Sequence, residues 1–402
     1  MRVLLSTWGS RGDVEPLAGL AVALRGLGAE ASVAAPPDDD FVELLGRAGV
    51  PLVPLGPSVK SVVSGEKPPT AKDAFWLAPE LVRARFEVLG KAAEGCDLMM
   101  GSGLMPAGVR DVAEHLGIPY VYACFQIFGL PSRHFRPGQR PGTPSSEDET
   151  DSEVLWKQDA ERVNGLYGEA LNAGRAKLGM PPVDNVRDHV FTDRPLLAAD
   201  PTLCPSEGMT NYDDLVQTGA WLLPDERPLP DDLTAFLDAG APPVYVGFGS
   251  MAAHAPSDIA RVATESIRAQ GHRVLLGSGW AGLGLVDDAD DCFAIGEVNQ
   301  QALFRRVAAV VHHGGAGTTT TAAGAGAPQV IMPRIADQPY WASRVADLGI
   351  GVAHMDSTAT VESLTAALTQ VLTPETRARA SEVAGMIRTD GATVAAKMLL
   401  ER

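Results

Sequence analysis

No apolar run in the sequence approaches the roughly 18 to 20 residues needed to span a bilayer, so no membrane helix is expected. Met1-Arg2-Val3-Leu4-Leu5 leads straight into a strand-like segment, which leaves no room for a signal peptide. Cysteine is scarce. Cys96, Cys124, Cys204 and Cys292 lie far apart and form no C-x-x-C pair, so neither a zinc site nor a disulfide framework is indicated. A reducing, cytoplasmic setting fits. Positive charge is also short: 33 Lys and Arg stand against 50 Asp and Glu, a formal net charge of −17. That excludes nucleic acid as a partner, because its phosphates need a basic surface. Any anionic ligand must then be held by backbone dipoles and a few local donors. Hydrophobic content of 45% in 402 residues suffices for a large core, and the length suggests two or three domains.

What is present is alternation. Residues 2–6 read as a strand, and 7–15 as a turn-rich loop. Pro16 suits a first helical position, followed by Leu17, Leu20, Ala21 and Leu24 at helical spacing. Residues 31–35 give the next strand, which completes a βαβ unit and implies a parallel sheet. Helices are expected at 39–48, 78–93 and 106–116, with strands at 51–54, 98–100 and 120–124. Residues 130–154 break the pattern and read as a functional flap. A helix at 155–178 follows, and Val190-Phe191 and Leu196-Leu197-Ala198 read as the last short strands of this half. The proline- and charge-rich piece 223–230 marks a boundary.

The pattern then restarts. Val244-Tyr245-Val246-Gly247-Phe248-Gly249-Ser250 is a strand ending in Gly-Ser, as the first strand's loop is. Helices are expected at 256–269, 300–307, 339–348, 361–372, 374–387 and 392–401, and strands at 273–276, 292–295, 307–311 and 329–333. The fold class is α/β, with two doubly wound domains that bind ligands outside the C-terminal ends of their strands. The expected boundaries are 1–216 for the first domain, 217–242 for a linker and 243–385 for the second domain. Residues 386–402 are expected as a C-terminal helix packing back on the first domain.

The richest stretch is Val310-Val311-His312-His313-Gly314-Gly315-Ala316-Gly317-Thr318-Thr319. It reads as a strand, a glycine turn and a helix N-terminus. Such an end offers orphan N–H groups and partial positive charge, and glycines let an anion approach the backbone. The simpler reading is a turn that only packs; the flanking order favours a phosphate cradle. Adjacent histidines do not converge on one ion, so an imidazole donor to phosphate fits better than a metal pair.

Gly277-Ser278-Gly279-Trp280-Ala281-Gly282 matches G-x-G-x-x-G, but no crossover helix fits before residue 292. A nicotinamide site therefore fails on context. Trp280 reads either as a flat platform for a nucleobase or as a packed surface Trp. Asp337-Gln338 after the 329–333 strand suits adjacent sugar hydroxyls, and Asp337 also suits a helix cap. Asp13, in Ser10-Arg11-Gly12-Asp13, can serve as a general base or as a cap. Arg11 beside it would depress its pKa, so a base here requires a partly apolar site.

These residues together resemble the GT-B glycosyltransferases of the family-1 type, and more narrowly those acting on glycopeptide antibiotics of the vancomycin and teicoplanin type. The motifs are Gly9-Ser10-Arg11-Gly12-Asp13-Val14-Glu15-Pro16, Gln217-Thr218-Gly219-Ala220-Trp221, Leu223-Pro224-Asp225-Glu226-Arg227-Pro228-Leu229 and the 244–250 strand. Gly296-Glu297-Val298-Asn299, the cradle and Ala336-Asp337-Gln338-Pro339 complete them. The likeness runs over essentially the whole chain.

It implies two facing Rossmann-like domains, the first for the aglycone and the second for a nucleotide sugar. Asp13 would be the general base. His313, Gly315, Ala316, Gly317 and Thr318 would hold the diphosphate, joined by Ser10, Arg11, Gly12 and Ser250. Trp280 and Val298 would meet the nucleobase, and Asp337 and Gln338 the donor sugar. No metal or other cofactor is implied, and a monomer or weak dimer is expected. The intact His-His-Gly-Gly and Asp-Gln pairs resemble relatives that use UDP-glucose-like donors. The alternatives are a dTDP-deoxysugar transferase on the same acceptor class, a UDP-sugar epimerase of the same fold, and a silent binding protein. Trp8 and residues 59–76 give the first half a character of its own.

Overall fold

Two all-parallel sheets underlie the alternation. A computed structural model describes residues 1–63, 71–138, 149–249, 258–279, 285–287, 289–356 and 358–401. In chain order the strands are β1 (Arg2–Ser6), β2 (Glu30–Ala35), β3 (Leu52–Pro54), β4 (Leu98–Gly101), β5 (Tyr120–Cys124), β6 (Leu196–Leu197) and β7 (Val216–Gln217). Then come β8 (Val244–Gly247), β9 (Val274–Gly277), β10 (Cys292–Ile295), β11 (Ala309–His312), β12 (Gln329–Ile331) and β13 (Gly351–Ala353). The first sheet runs β3-β2-β1-β4-β5-β6-β7 and the second β10-β9-β8-β11-β12-β13, among the described residues. Strand order reverses between β1 and β4 in one sheet and between β8 and β11 in the other. In doubly wound sheets the crevice at such a reversal is where ligands bind.

The chain divides into two compact units. One is Met1–Leu223 with Thr389–Arg402, and the other is Pro224–Arg388. Residues 217–242 are thus shared between the two. In the first unit Val3 and Leu5 of β1 join one apolar cluster while Leu4 joins another, so both faces of the sheet are covered. Leu17, Leu20 and Leu24 of the first helix enter that first cluster, fully buried. Each such leucine contributes about 1.5–3 kcal/mol. Helix Gly391–Leu400 adds Ala392, Ala395, Ala396 and Leu399 to the same cluster. In the second unit Val244 and Val246 face one cluster and Tyr245 the other.

Several local expectations change. The first helix is Arg11–Gly26, with Ser10 extended as its N-cap, so it starts before Pro16 and holds that proline inside. The bond that Pro16 cannot donate would have gone to Gly12, an exposed residue whose carbonyl can meet water. Val190 and Phe191 end a helix, Val186–Phe191, instead of forming a strand. Asn185 caps that helix through Asp188 N, and Val186 and Val190 are buried one turn apart. Short apolar pairs carry too little periodicity to separate the two states. The 155–178 helix is Ser152–Val163 and Glu169–Lys177 joined by a wide π turn, Asn164–Gly168. Strands β7 and β13 and helix Asp231–Asp238 are additional. Of the expected flap, 139–148 lies outside the described residues, as does 64–70 of the 59–76 stretch. No described helix is long and apolar enough to cross a membrane.

Candidate active site

Asp13 sits at the strand reversal of the first sheet. Chain leaving β1 passes through Thr7, Trp8 and Gly9 to the helix cap at Ser10. Asp13 Oδ2 accepts the Ser10 backbone N–H at 2.8 Å and lies 3.4 Å from Ser10 Oγ, so the carboxylate stabilises the helix start. A Cβ on Gly9 would stand 2.1 Å from Asp13 Oδ2, so only glycine leaves the carboxylate room. Gly103, past β4, closes from the other side at φ +76; a Cβ there would lie 2.3 Å from Thr7 Oγ1 and 3.4 Å from Asp13 Oδ1. Asp13 thus caps a helix, and it stands at the mouth of the sheet.

The supporting wall was not legible in the sequence. Arg85 is fully buried and donates to the carbonyls of Leu104, Met105 and Ala107, which fixes the loop after Gly103. Burial lowers its pKa to about 10. Trp8 is buried and donates from Nε1 to Pro57 O at 2.9 Å. Arg11 pairs with Glu15 one turn on, at 2.5 Å, and Gly12 is exposed.

The cradle occupies the reversal of the second sheet. β11 ends at His312, and Gly314 turns at φ +90 where a Cβ would meet Ile331 Cγ2 at 2.6 Å. Gly315 is the N-cap of helix Ala316–Gly324, with no side chain capping it. The first bond back to the cap carbonyl comes from Thr319 N, at 2.9 Å, so the N–H groups of Ala316, Gly317 and Thr318 have no acceptor within the helix. His313 lies over this end: its Nε2 is 2.7 Å from where a Gly315 Cβ would be, and its Cε1 is 3.5 Å from a Cβ on Gly249, past β8. Burial lowers the His313 pKa to about 4, so the ring is neutral at neutral pH, and its Nδ1 is buried without a hydrogen-bond partner. Gly317 is exposed and Thr318 half-buried. Thr319 turns inward, and its hydroxyl is taken by Gly315 O at 2.9 Å.

Gln338 is brought against the cradle. Its carbonyl oxygen is 3.3 Å from a Cβ placed on Gly314. Its side-chain Oε1 accepts Arg334 N at 2.7 Å and Ile335 N at 3.1 Å, which turns the amide NH2 the other way. Ala336, just before the pair, holds φ +54, a conformation that non-glycine residues keep only when their surroundings impose it. Asp337 stands at the N-cap of helix Gln338–Asp347, but its side chain makes no cap bond. Oδ2 instead accepts the Trp341 indole N–H at 2.7 Å. Burial raises the Asp337 pKa against that bond.

Val298 is half-buried and packs on the second unit's core, as Leu229 does. Next to it, Asn299 donates to Asp225 O at 2.7 Å and Arg227 O at 2.9 Å, tying the 224–229 stretch to this unit. Gly279, at φ +45, approaches Gly249 O, so the segment leading to Trp280 reaches the strand reversal. Trp280 and Ser250 themselves lie outside the described residues. Among the described residues one trio has metal-ligand spacing, Asp111, Glu114 and His189. Arg175 already closes it, at 2.5 Å from Asp111 and 3.1 Å from Glu114.

Residues 289–395 match the family described as Erythromycin biosynthesis protein CIII-like, C-terminal domain. Over 402 residues the chain is 55% identical to glycosyltransferase GtfE of Amycolatopsis orientalis, covering 99% of this chain and 97% of that one. It is 53% identical to vancomycin aglycone glucosyltransferase (100% and 97% covered) and 48% identical to dTDP-epi-vancosaminyltransferase (95% and 93% covered), both of the same organism. The glycotransferase of kitacinnamycin shares the fold, with a TM-score of 0.74 at 19% identity over 100% of this chain and 98% of that one. So does VinC in complex with dTDP, with a TM-score of 0.68 at 20% identity, covering 100% and 99%. End-to-end identity of this order, with two parallel doubly wound sheets, makes the chain a member of the GT-B glycosyltransferases of the family-1 type, in the group related to the glycopeptide-antibiotic enzymes.

Proposed function

We propose that the enzyme transfers a hexose, glucose or N-acetylglucosamine, from a UDP-sugar to a hydroxyl of a glycopeptide aglycone or pseudoaglycone, with inversion and without a metal. The observation that carries this reading is the open N-terminus of helix Ala316–Gly324 beside His313 at a strand reversal. As the anomeric C–O bond breaks, negative charge gathers on the diphosphate. Fixed N–H groups at a helix start stabilise that charge without reorganising. A neutral His313 adds an N–H donor, and a bound diphosphate raises its pKa.

Asp13 takes the proton of the acceptor hydroxyl while that oxygen bonds to the anomeric carbon. The electron pair of the breaking bond leaves on the phosphate oxygen from the opposite face, which inverts the centre. Asp337 accepts from the donor sugar's hydroxyls and the Gln338 amide donates to them. Val298 and Trp280 are assigned to the base, and Ser10, Arg11, Gly12 and Ser250 to the diphosphate.

The relatives' names support the glycopeptide acceptor. A second reading, a dTDP-deoxysugar donor, draws on the relative named dTDP-epi-vancosaminyltransferase. The intact His312-His313-Gly314-Gly315 and Asp337-Gln338 favour the UDP-hexose. A mass-spectrometric screen of UDP-glucose, UDP-N-acetylglucosamine and a dTDP-deoxysugar against aglycones and pseudoaglycones decides. A hexose-sized mass gain with UDP release is the expected result. A deoxysugar product alone selects the second reading, and no product on any glycopeptide rejects the acceptor class.

A further inference from the structure

We infer that His312, the first of the adjacent histidines, is a positioning residue: it fixes the turn that aims the helix N–H groups and His313, and never meets the donor. The inference rests on reading the cradle as the diphosphate site. His312 and Gln329 are both fully buried. His312 Nδ1 accepts the Gly314 N–H at 3.1 Å, which puts the ring proton on Nε2. Nε2 lies 2.9 Å from Gln329 Oε1 and donates to it. The Gln329 amide NH2 reaches the Thr319 carbonyl at 3.4 Å. One pair of side chains therefore links β11, the glycine turn, the helix and β12.

An apolar residue would fill this space at lower cost unless the bonds were needed, because each buried polar group must be satisfied. The need is visible at Gly314. Its left-handed turn points the backbone N–H into the interior, and the His312 ring nitrogen receives it. Burial, with the neighbouring His313 adding to it, lowers the His312 pKa to about 3, so the ring keeps this single neutral form at neutral pH. Without that acceptor the turn relaxes, and the His313 ring and the N–H groups of Ala316, Gly317 and Thr318 lose their common aim.

The test measures binding of UDP and dTDP, with uridine and thymidine as controls, by calorimetry on the full chain. His312→Asn keeps an acceptor near the Nδ1 position and drops the bond to Gln329. His312→Gln reaches Gln329 but withdraws the acceptor from Gly314. The expected result is a loss in diphosphate affinity of about tenfold for His312→Gln, the scale of one buried hydrogen bond, and about threefold or less for His312→Asn. Nucleoside affinity stays within about twofold in both, since nucleosides do not use the turn. Gln329→Met, which leaves the Gly314 bond in place, is a second variant and loses less than His312→Gln.

Wild-type diphosphate affinity in His312→Gln overturns the proposal. So does a parallel fall in nucleoside affinity, which marks general damage. A wild-type chain that holds diphosphate no better than nucleoside overturns the reading of the cradle as well, and is told apart because the unmutated protein itself fails.

Discussion

Ser10 donates its backbone N–H to Asp13 Oδ2 at 2.8 Å, so one carboxylate both opens a helix and stands at the mouth of the first sheet. The two duties separate by substitution. Asp13→Asn keeps an oxygen for Ser10 N–H and removes the base. Turnover is expected to fall by roughly 10²–10⁴ with stability nearly unchanged. Asp13→Ala loses turnover and also about 1 kcal/mol of stability with the cap. Steady-state rates and denaturant melts on both variants check this; normal turnover in Asp13→Asn refutes the base assignment.

Gly315→Ala tests the seat of His313. The new methyl would stand 2.7 Å from Nε2, so the ring must swing away from the helix end. UDP affinity is expected to drop about tenfold, the scale of one charge-assisted hydrogen bond, while the fold persists. Calorimetry with circular dichroism reads both; undiminished affinity shows that His313 does not face the phosphates.

Asp337→Asn retains an acceptor for the Trp341 indole and removes the charge. The donor KM is expected to rise about tenfold with little change in melting temperature. Asp337→Ala leaves the indole N–H of buried Trp341 without its partner and costs about 1–3 kcal/mol of stability as well. Equal donor KM values in wild type and Asp337→Asn count against a sugar contact.

Acid weakens the fold through the two histidines. Burial places the His312 and His313 pKa values at about 3 and about 4, below the ordinary 6.5. Below pH 6.5 the unfolded chain therefore binds more protons than the folded one, and stability falls as pH drops toward 4. The expected loss between pH 7 and pH 5 is about 4 kcal/mol from the pair, and almost none arises from them above pH 7. Urea unfolding at the two pH values measures it. His312→Asn should flatten the dependence by about half, since one of the two protons is removed; an unchanged slope shows that His312 is not buried neutral.

Much of this site could be read from the residues. Strand, glycine turn and helix start at 307–324 follow from composition, since Gly314 holds a left-handed turn in which a Cβ would strike Ile331. The paired restart at β1 and β8 was equally visible in the apolar runs. What escaped depends on contacts between distant segments. Arg85 looked like any helical arginine until its guanidinium met three carbonyls some 20 residues away. The His312–Gln329 bond likewise joins residues that share no local signal. Strands β7 and β13 are two and three residues long, too short for a period to register. Pro16 misled because a proline five residues after a helix start is uncommon, and what sets the start earlier is the local Ser10–Asp13 cap.

Helix Gly391–Leu400 lies in the core of the first unit, with Gly391 so close to Gly219 and Ala220 that a Cβ would stand 2.4 Å from the Ala220 oxygen. The second unit is therefore an insertion within the first. Ribosomal synthesis delivers the whole of Pro224–Arg388 before the segment that covers Leu17, Leu20 and Leu24 emerges. Until then helix Arg11–Gly26, the helix that carries Asp13, lacks Ala392, Ala395, Ala396 and Leu399, the residues that complete its apolar cluster.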